Sequence, residues 1–217
     1  MAARDRLGAP GDSTITASCF GGAITMQLPA GFRDLSELRP VPDNQEVYVG
    51  VDPSGRATGS VVIIEIVESP AVPNEEVARY LWEDLADASD TFGWHQLPLP
   101  PRAATALCGG GGGGGGAMAS AASAPLLASP RVSFADLGAG FHEDRDSPPT
   151  LHVMALAVLR LPFVESDVVV YATLPSPGGR AAAVPGSAAE TLAAEIARGL
   201  LASLCVHDWA LFGEPKK

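Results

Sequence analysis

A chain of 217 residues with 47% apolar side chains can close one packed core, and its length points to a single domain. Its 25 acidic residues against 14 basic ones give a formal charge of -11, which argues against binding a phosphate backbone and for a basic protein partner or plain solubility. No apolar run reaches the roughly 20 residues that span a bilayer, so neither a transmembrane helix nor a membrane anchor is expected.

The first twenty residues lack the apolar stretch of a secretory signal, and Asp5 and Asp12 disfavour an organelle transit peptide, so the protein is expected to act where it is made. Residues 1–17 read as a flexible N-terminus. Residues 17–28 then read as two short strands about Gly21-Gly22, with Ile24, Met26 and Leu28 alternating against Thr25 and Gln27. Asp34 followed by Glu37 has capping-box form, although Pro40 and Pro42 allow only about one helical turn. Alternation resumes over residues 45–51, and the β-branched run 60–67 is apolar on both faces, which predicts a central, covered strand. Asn74 opens a predicted helix whose apolar positions are Val77, Tyr80, Leu81, Leu85 and Ala88.

Between about residues 98 and 130 the composition turns to Pro, Ala and Ser around the tract 109–116 of unbroken glycine, an insertion with too little apolar surface to order itself. Residues 131–141 hold a weaker strand signal, and 142–149 are charged and rich in turn formers. Residues 151–161 pair with 167–174 as a long predicted hairpin across 162–166. Ser187 with Glu190 forms a second capping box, opening a helix through Leu192, Ile196, Leu200 and Leu204 to about Val206. An aromatic stretch, HDWALFG, precedes the tail 213–217. The domain so defined, residues 18–212, is α+β: an antiparallel β-sheet flanked by α-helices.

Few residue patterns carry chemistry. The glycine tract lacks the Gly-Lys-Ser/Thr ending of a phosphate loop and does not join a strand to a helix. His142, Glu143, Asp144 and Asp146 are metal-ligand types, but consecutive loop residues rarely converge on one ion, so a solvated charged loop is expected. No nucleophile with a positioned base is recognisable, and His207-Asp208 reads as a helix-end feature. Trp82, Trp94 and Trp209 are assigned to core or edge packing, and Cys19, Cys108 and Cys205, widely spaced, to reduced thiols. The segment 34–46, DLSELRPVPDNQE, differs from the rest. Four carboxylates, Asp34, Glu37, Asp43 and Glu46, face a single counter-charge, Arg39, for a local net charge of -3. Pro40 and Pro42 limit its freedom, and the amides of Asn44 and Gln45 add hydrogen-bonding groups. Charge alone leaves two readings open: a stiff docking loop, or a capped turn followed by a strand with Glu46 in water.

At these residues a family likeness appears. The stretch CFGGAITMQLPAGFRDLSELRPVPDNQEVYV, residues 19–49, closely resembles the N-terminal signature of the Ran guanine nucleotide release factor family. The likeness continues through VVIIEIVES, the helix holding Trp82-Glu83-Asp84-Leu85, the hairpin ALAVLRLPFVESDVVV and the closing VHDWALFG. It leaves out residues 1–17 and about 98–149. The resemblance implies a non-catalytic, cofactor-free monomer of the nucleus and cytoplasm that binds the GTPase Ran, with or without a second Ran-binding protein, promotes release of its guanine nucleotide and supports nuclear import. It implies a fold similar also to the extrinsic oxygen-evolving protein of photosystem II, so an extrinsic structural subunit is the competing class; an enzyme, a third class, has no residue constellation in its favour. Asp34 and Glu46 match positions tied to nucleotide release, with Glu37, Arg39, Asp43, Asn44 and Gln45 between them, and Glu65 and Glu68 match an acidic pair used in Ran binding. Residues three apart in a regular strand point oppositely, so Glu65 and Glu68 sharing one surface would require an irregularity near Val67. Glu46, entering a strand beside that of Glu65, is expected to complete a single acidic face.

Overall fold

The computed structural model describes residues 13–36, 38–85, 91–99, 134–144, 150–176 and 184–213. The alternation at the N-terminus folds as the hairpin β1 (Thr14–Cys19) and β2 (Ile24–Pro29), so that β1 begins within the stretch read as a flexible tail. Its turn is left-handed: Phe20, Gly21 and Gly22 have φ of 51°, 65° and 93°. Two glycines accept that conformation freely, whereas Phe20 adopts it against the steric preference of a residue with a Cβ. A short strand that the sequence pattern does not announce, β3 (Phe32–Asp34), pairs with β4 (Gln45–Val51), which pairs with β5 (Ala57–Glu68). The single turn expected after Asp34 is present, closed by the N–H groups of Leu38 and Arg39 on the Leu35 carbonyl at 2.9 and 3.1 Å, with Asp34 itself ending a strand.

A turn of 3-10 helix at Asn74–Glu76 leads into α1 (Val77–Leu85). Asn74 does not cap it. Asp136, from a neighbouring strand, accepts the Ala78 N–H at 2.9 Å, one of the orphan donors of the first turn. Nor is the helix seated on the expected stripe: Val77, Ala78 and Trp82 are buried while Tyr80 and Leu85 are exposed, because the Trp82 indole is the largest apolar group to cover. The remaining strands are β6 (Thr91–Gln96), unannounced by the sequence pattern, β7 (Phe134–Asp144), β8 (Thr150–Leu161) and β9 (Ser166–Pro175). β8 and β9 form the expected hairpin. Helix α2 (Ala188–Ser203) starts at Ser187, whose hydroxyl accepts the Glu190 N–H, and β10 (Cys205–Val206) follows. The glycine-rich insert lies outside the described residues.

Seven strands form one antiparallel sheet in the order β3-β4-β5-β9-β8-β7-β6, and β1, β2 and β10 form a second. Side chains from one face of the large sheet, among them Tyr48, Val62, Ile64, Ala157 and Val170, pack with α2 and the small sheet into the main core. The opposite face, with Leu156, Val158, Val169 and Tyr171, packs under Val77, Ala78 and Trp82 of α1. β5 is therefore central and covered on both sides, as its two-faced apolar pattern requires. On the α1 side, Arg160 and Asp167 are a buried ion pair at 3.1 Å, and the guanidinium also donates to the carbonyls of Pro70 and Val72, tying down the chain between β5 and α1. The three tryptophans take packing roles: Trp82 against Trp94 at 5.2 Å, and Trp209 against Phe163 at 5.0 Å between ring centroids. Cys19 is a buried free thiol, but Cys205 is not a free thiol, which corrects the all-reduced expectation.

Candidate functional site at the acidic sheet edge

Asp34 and Glu46 meet at the end of the large sheet. In the β3–β4 register Asp34 lies opposite Tyr48, two residues from Glu46, so Asp34, Tyr48 and Glu46 share one face. Asp34 is turned back on its own chain, its Oδ1 accepting the Ser36 N–H at 2.7 Å. Glu46 is half-buried, and its Oε1 accepts the N–H of Phe20 from the left-handed turn of the small sheet. Beneath the two carboxylates the Tyr48 hydroxyl and the Cys19 thiol are in contact at 3.6 Å.

The electrostatics follow from this packing. Burial raises the Glu46 carboxyl above its ordinary value; the Phe20 N–H opposes that rise, and the charge of Asp34 adds to it. Burial also pushes the Cys19 thiol up to about 11 and raises the Tyr48 phenol, with Glu46 and Asp34 adding to both. Cys19 is therefore a neutral packing group, not a reactive thiolate. The edge is a pair of crowded carboxylates that a cation would relieve.

The other predicted site residues fall elsewhere. In the β4–β5 register Gln45 lies opposite Glu65, and Glu46 lies opposite Ile64, so Glu65 and Glu46 are on opposite faces and the expected single acidic face does not exist. Glu65 Oε1 accepts from the Asn44 and Gln45 side-chain amides at 3.1 and 3.0 Å, and Oε2 accepts the Tyr171 hydroxyl at 3.3 Å. Three donors hold this carboxylate, which fixes the end of the acidic loop where it enters β4. Nor is there an irregularity near Val67: β5 stays in register with β9 through Glu68, so Glu65 and Glu68 alternate. Glu68 is exposed at the end of β5, and Arg39 and Asp43 are exposed in the loop, whereas Glu37 lies outside the described residues. Sequence reasoning missed Phe20, Tyr48 and Cys19. Only the Gly21-Gly22 pair, a signal for positive φ, hinted that the Phe20 amide would be turned towards a partner.

This is a small α+β module with two carboxylates, Asp34 and Glu46, on one face at the edge of its sheet. The family described as Ran-interacting Mog1 protein matches residues 17–175, and the chain belongs to that family. The human Ran guanine nucleotide release factor is 30% identical over 197 residues, covering 89% of this chain and 94% of the human one. The nuclear import protein MOG1 of Saccharomyces cerevisiae is 38% identical over 85 residues, 36% of this chain and 39% of the yeast protein. A crystal structure of the Saccharomyces cerevisiae Ran-binding protein Mog1p superposes with a TM-score of 0.63 at 22% identity, over 93% of this chain and 99% of that one, and so shares the fold.

Proposed function

We propose that the protein binds the GTPase Ran, promotes release of its guanine nucleotide and thereby serves nuclear import. The observation that carries this reading is that Asp34 and Glu46 share one face at the edge of the sheet, Asp34 opposite Tyr48 and Glu46 two residues before it, in a chain of the Ran-interacting Mog1 family. A GTPase holds its nucleotide through a lysine, Mg²⁺ and backbone amides around the phosphates. A partner that prefers the empty GTPase by some factor must weaken nucleotide binding by the same factor, at about 1.4 kcal/mol per tenfold. Asp34 and Glu46 act by pairing with cationic groups that otherwise serve the phosphates. Glu65 holds Asn44 and Gln45 in place. Glu37, Arg39, Asp43 and Glu68 shape the surrounding field, and attract a basic partner more than they add affinity.

In this reading the chain works as a monomer in nucleus and cytoplasm, alone or with a second Ran-binding protein, and needs no covalent step or cofactor. Release of a fluorescent guanine nucleotide from Ran tests it. Asp34→Ala and Glu46→Ala are expected to slow stimulated release by about tenfold or more each, in line with charge pairs at protein interfaces. Release as fast as with the unmodified protein in both variants would overturn the proposal.

A further inference from the structure

We propose that Leu38 is the apolar anchor of the docking loop, seated in an apolar pocket of the GTPase whose rim carries Lys and Arg; this rests on the reading of residues 34–46 as the Ran-facing loop. Leu38 is 77% exposed, against 57% for Val184 and 45% for Tyr80, the next most exposed large apolar side chains among the described residues. A lone exposed leucine is ordinary on a protein surface. Its setting here is not. The loop leaves β3 with the Leu35 N–H on the Val47 carbonyl at 2.8 Å, and the N–H groups of Leu38 and Arg39 both close on the Leu35 carbonyl. It returns with the Gln45 N–H on the Pro42 carbonyl at 2.9 Å and with Asn44 held by Glu65 at 3.1 Å. Pro40 and Pro42 stiffen the stretch between these ties.

The leucine is thus displayed by fixed backbone at a place where folding buries little of it. Backbone that is already ordered loses little freedom on docking, so the ordering cost falls mainly on the leucine side chain. In sequence it lies three residues from half-buried Leu35 and Val41 on either side, and the same loop carries the carboxylates of Asp34, Asp43 and Glu46. Protein interfaces deplete charge at their centres and gather it at their rims, and a few side chains carry most of the affinity. The acidic margin commits the occupant, because a pocket that receives Leu38 must bring cations to those carboxylates.

The test is the affinity of the full-length protein for nucleotide-free Ran, at low and high salt. Leu38→Ala is expected to weaken binding about tenfold with an unchanged melting temperature, and Leu38→Met to restore most of it. The Leu38→Ala loss should persist at high salt, whereas the losses from Asp34→Ala and Glu46→Ala should shrink as charges are screened. Normal binding by Leu38→Ala alongside weakened binding by Asp34→Ala and Glu46→Ala overturns the anchor and leaves the loop reading standing. Normal binding by all three variants overturns the loop reading, and the anchor with it. A melting temperature lowered in Leu38→Ala assigns the leucine to the fold and overturns the anchor as well.

Discussion

Glu46 has a place in the fold through the Phe20 N–H, and the partner role proposed for it opposes that place. Its carboxyl is raised above the ordinary 4.5 by burial, so the folded state prefers it protonated. The stabilisation from that protonated form is fully present below the unfolded value of 4.5 and is lost as pH rises through the higher folded value. At neutral pH the ionised carboxylate therefore detracts from stability. Glu46→Gln keeps an oxygen for the Phe20 N–H and removes the charge. The variant is expected to melt higher than the unmodified protein at pH 7 and to converge with it below pH 4.5, while stimulating nucleotide release less well. Thermal melts across pH, read beside release rates, check both halves; a lower melting temperature at pH 7 would contradict the assignment. Such opposition between stability and activity is common at binding sites.

Elements show where sequence signals are sufficient and where they are not. β5, the β8–β9 hairpin and α2 follow from patterns within single segments: a two-faced apolar run, two apolar runs about a turn, and Ser187 three residues before Glu190. β3 and β6 do not, because three residues ending at Asp34, or six about Gly93, carry too little pattern to reveal that a neighbour will pair with them. The start of α1 illustrates the same gap, since its cap is Asp136, a residue far along the chain. The acidic loop was legible from charge and proline content, but its division between two faces was not. That division depends on Gln45 lying opposite Glu65, a register fixed only when β4 and β5 pair. Gly138 on β7 is another case of tertiary necessity. A Cβ there would fall inside the indole of Trp94, which packs on Trp82. Gly138→Ala is expected to displace Trp94 and cost about 1–3 kcal/mol, the usual range for overpacking. A lower urea midpoint with a shifted tryptophan emission would bear this out, and an unchanged midpoint would count against it.

At the scale of the whole molecule, a formal charge of -11 gives a field that reaches beyond the loop. Association with a basic partner should be fast at low salt and slow steeply as salt is added, with dissociation changing far less. Stopped-flow mixing with Ran over a salt series measures this, and an association rate indifferent to salt would remove charge from the account of encounter. The α1 side serves a different end. Arg160 and Asp167 there hold the chain between β5 and α1, and Glu65 holds the loop that enters β4, so this face of the sheet anchors its connections.

The left-handed turn at Phe20 has a reach that its size conceals. Its amide holds Glu46, while the Ala23 carbonyl just after it receives the N–H of His207 at 2.7 Å, and Thr25 meets the same histidine's ring at 2.8 Å. The opening and closing stretches of the described chain thus converge on one bend, and that bend sets the aim of a carboxylate lying between them in sequence. A substitution at His207 is therefore expected to loosen that bend and, through it, the hold on Glu46.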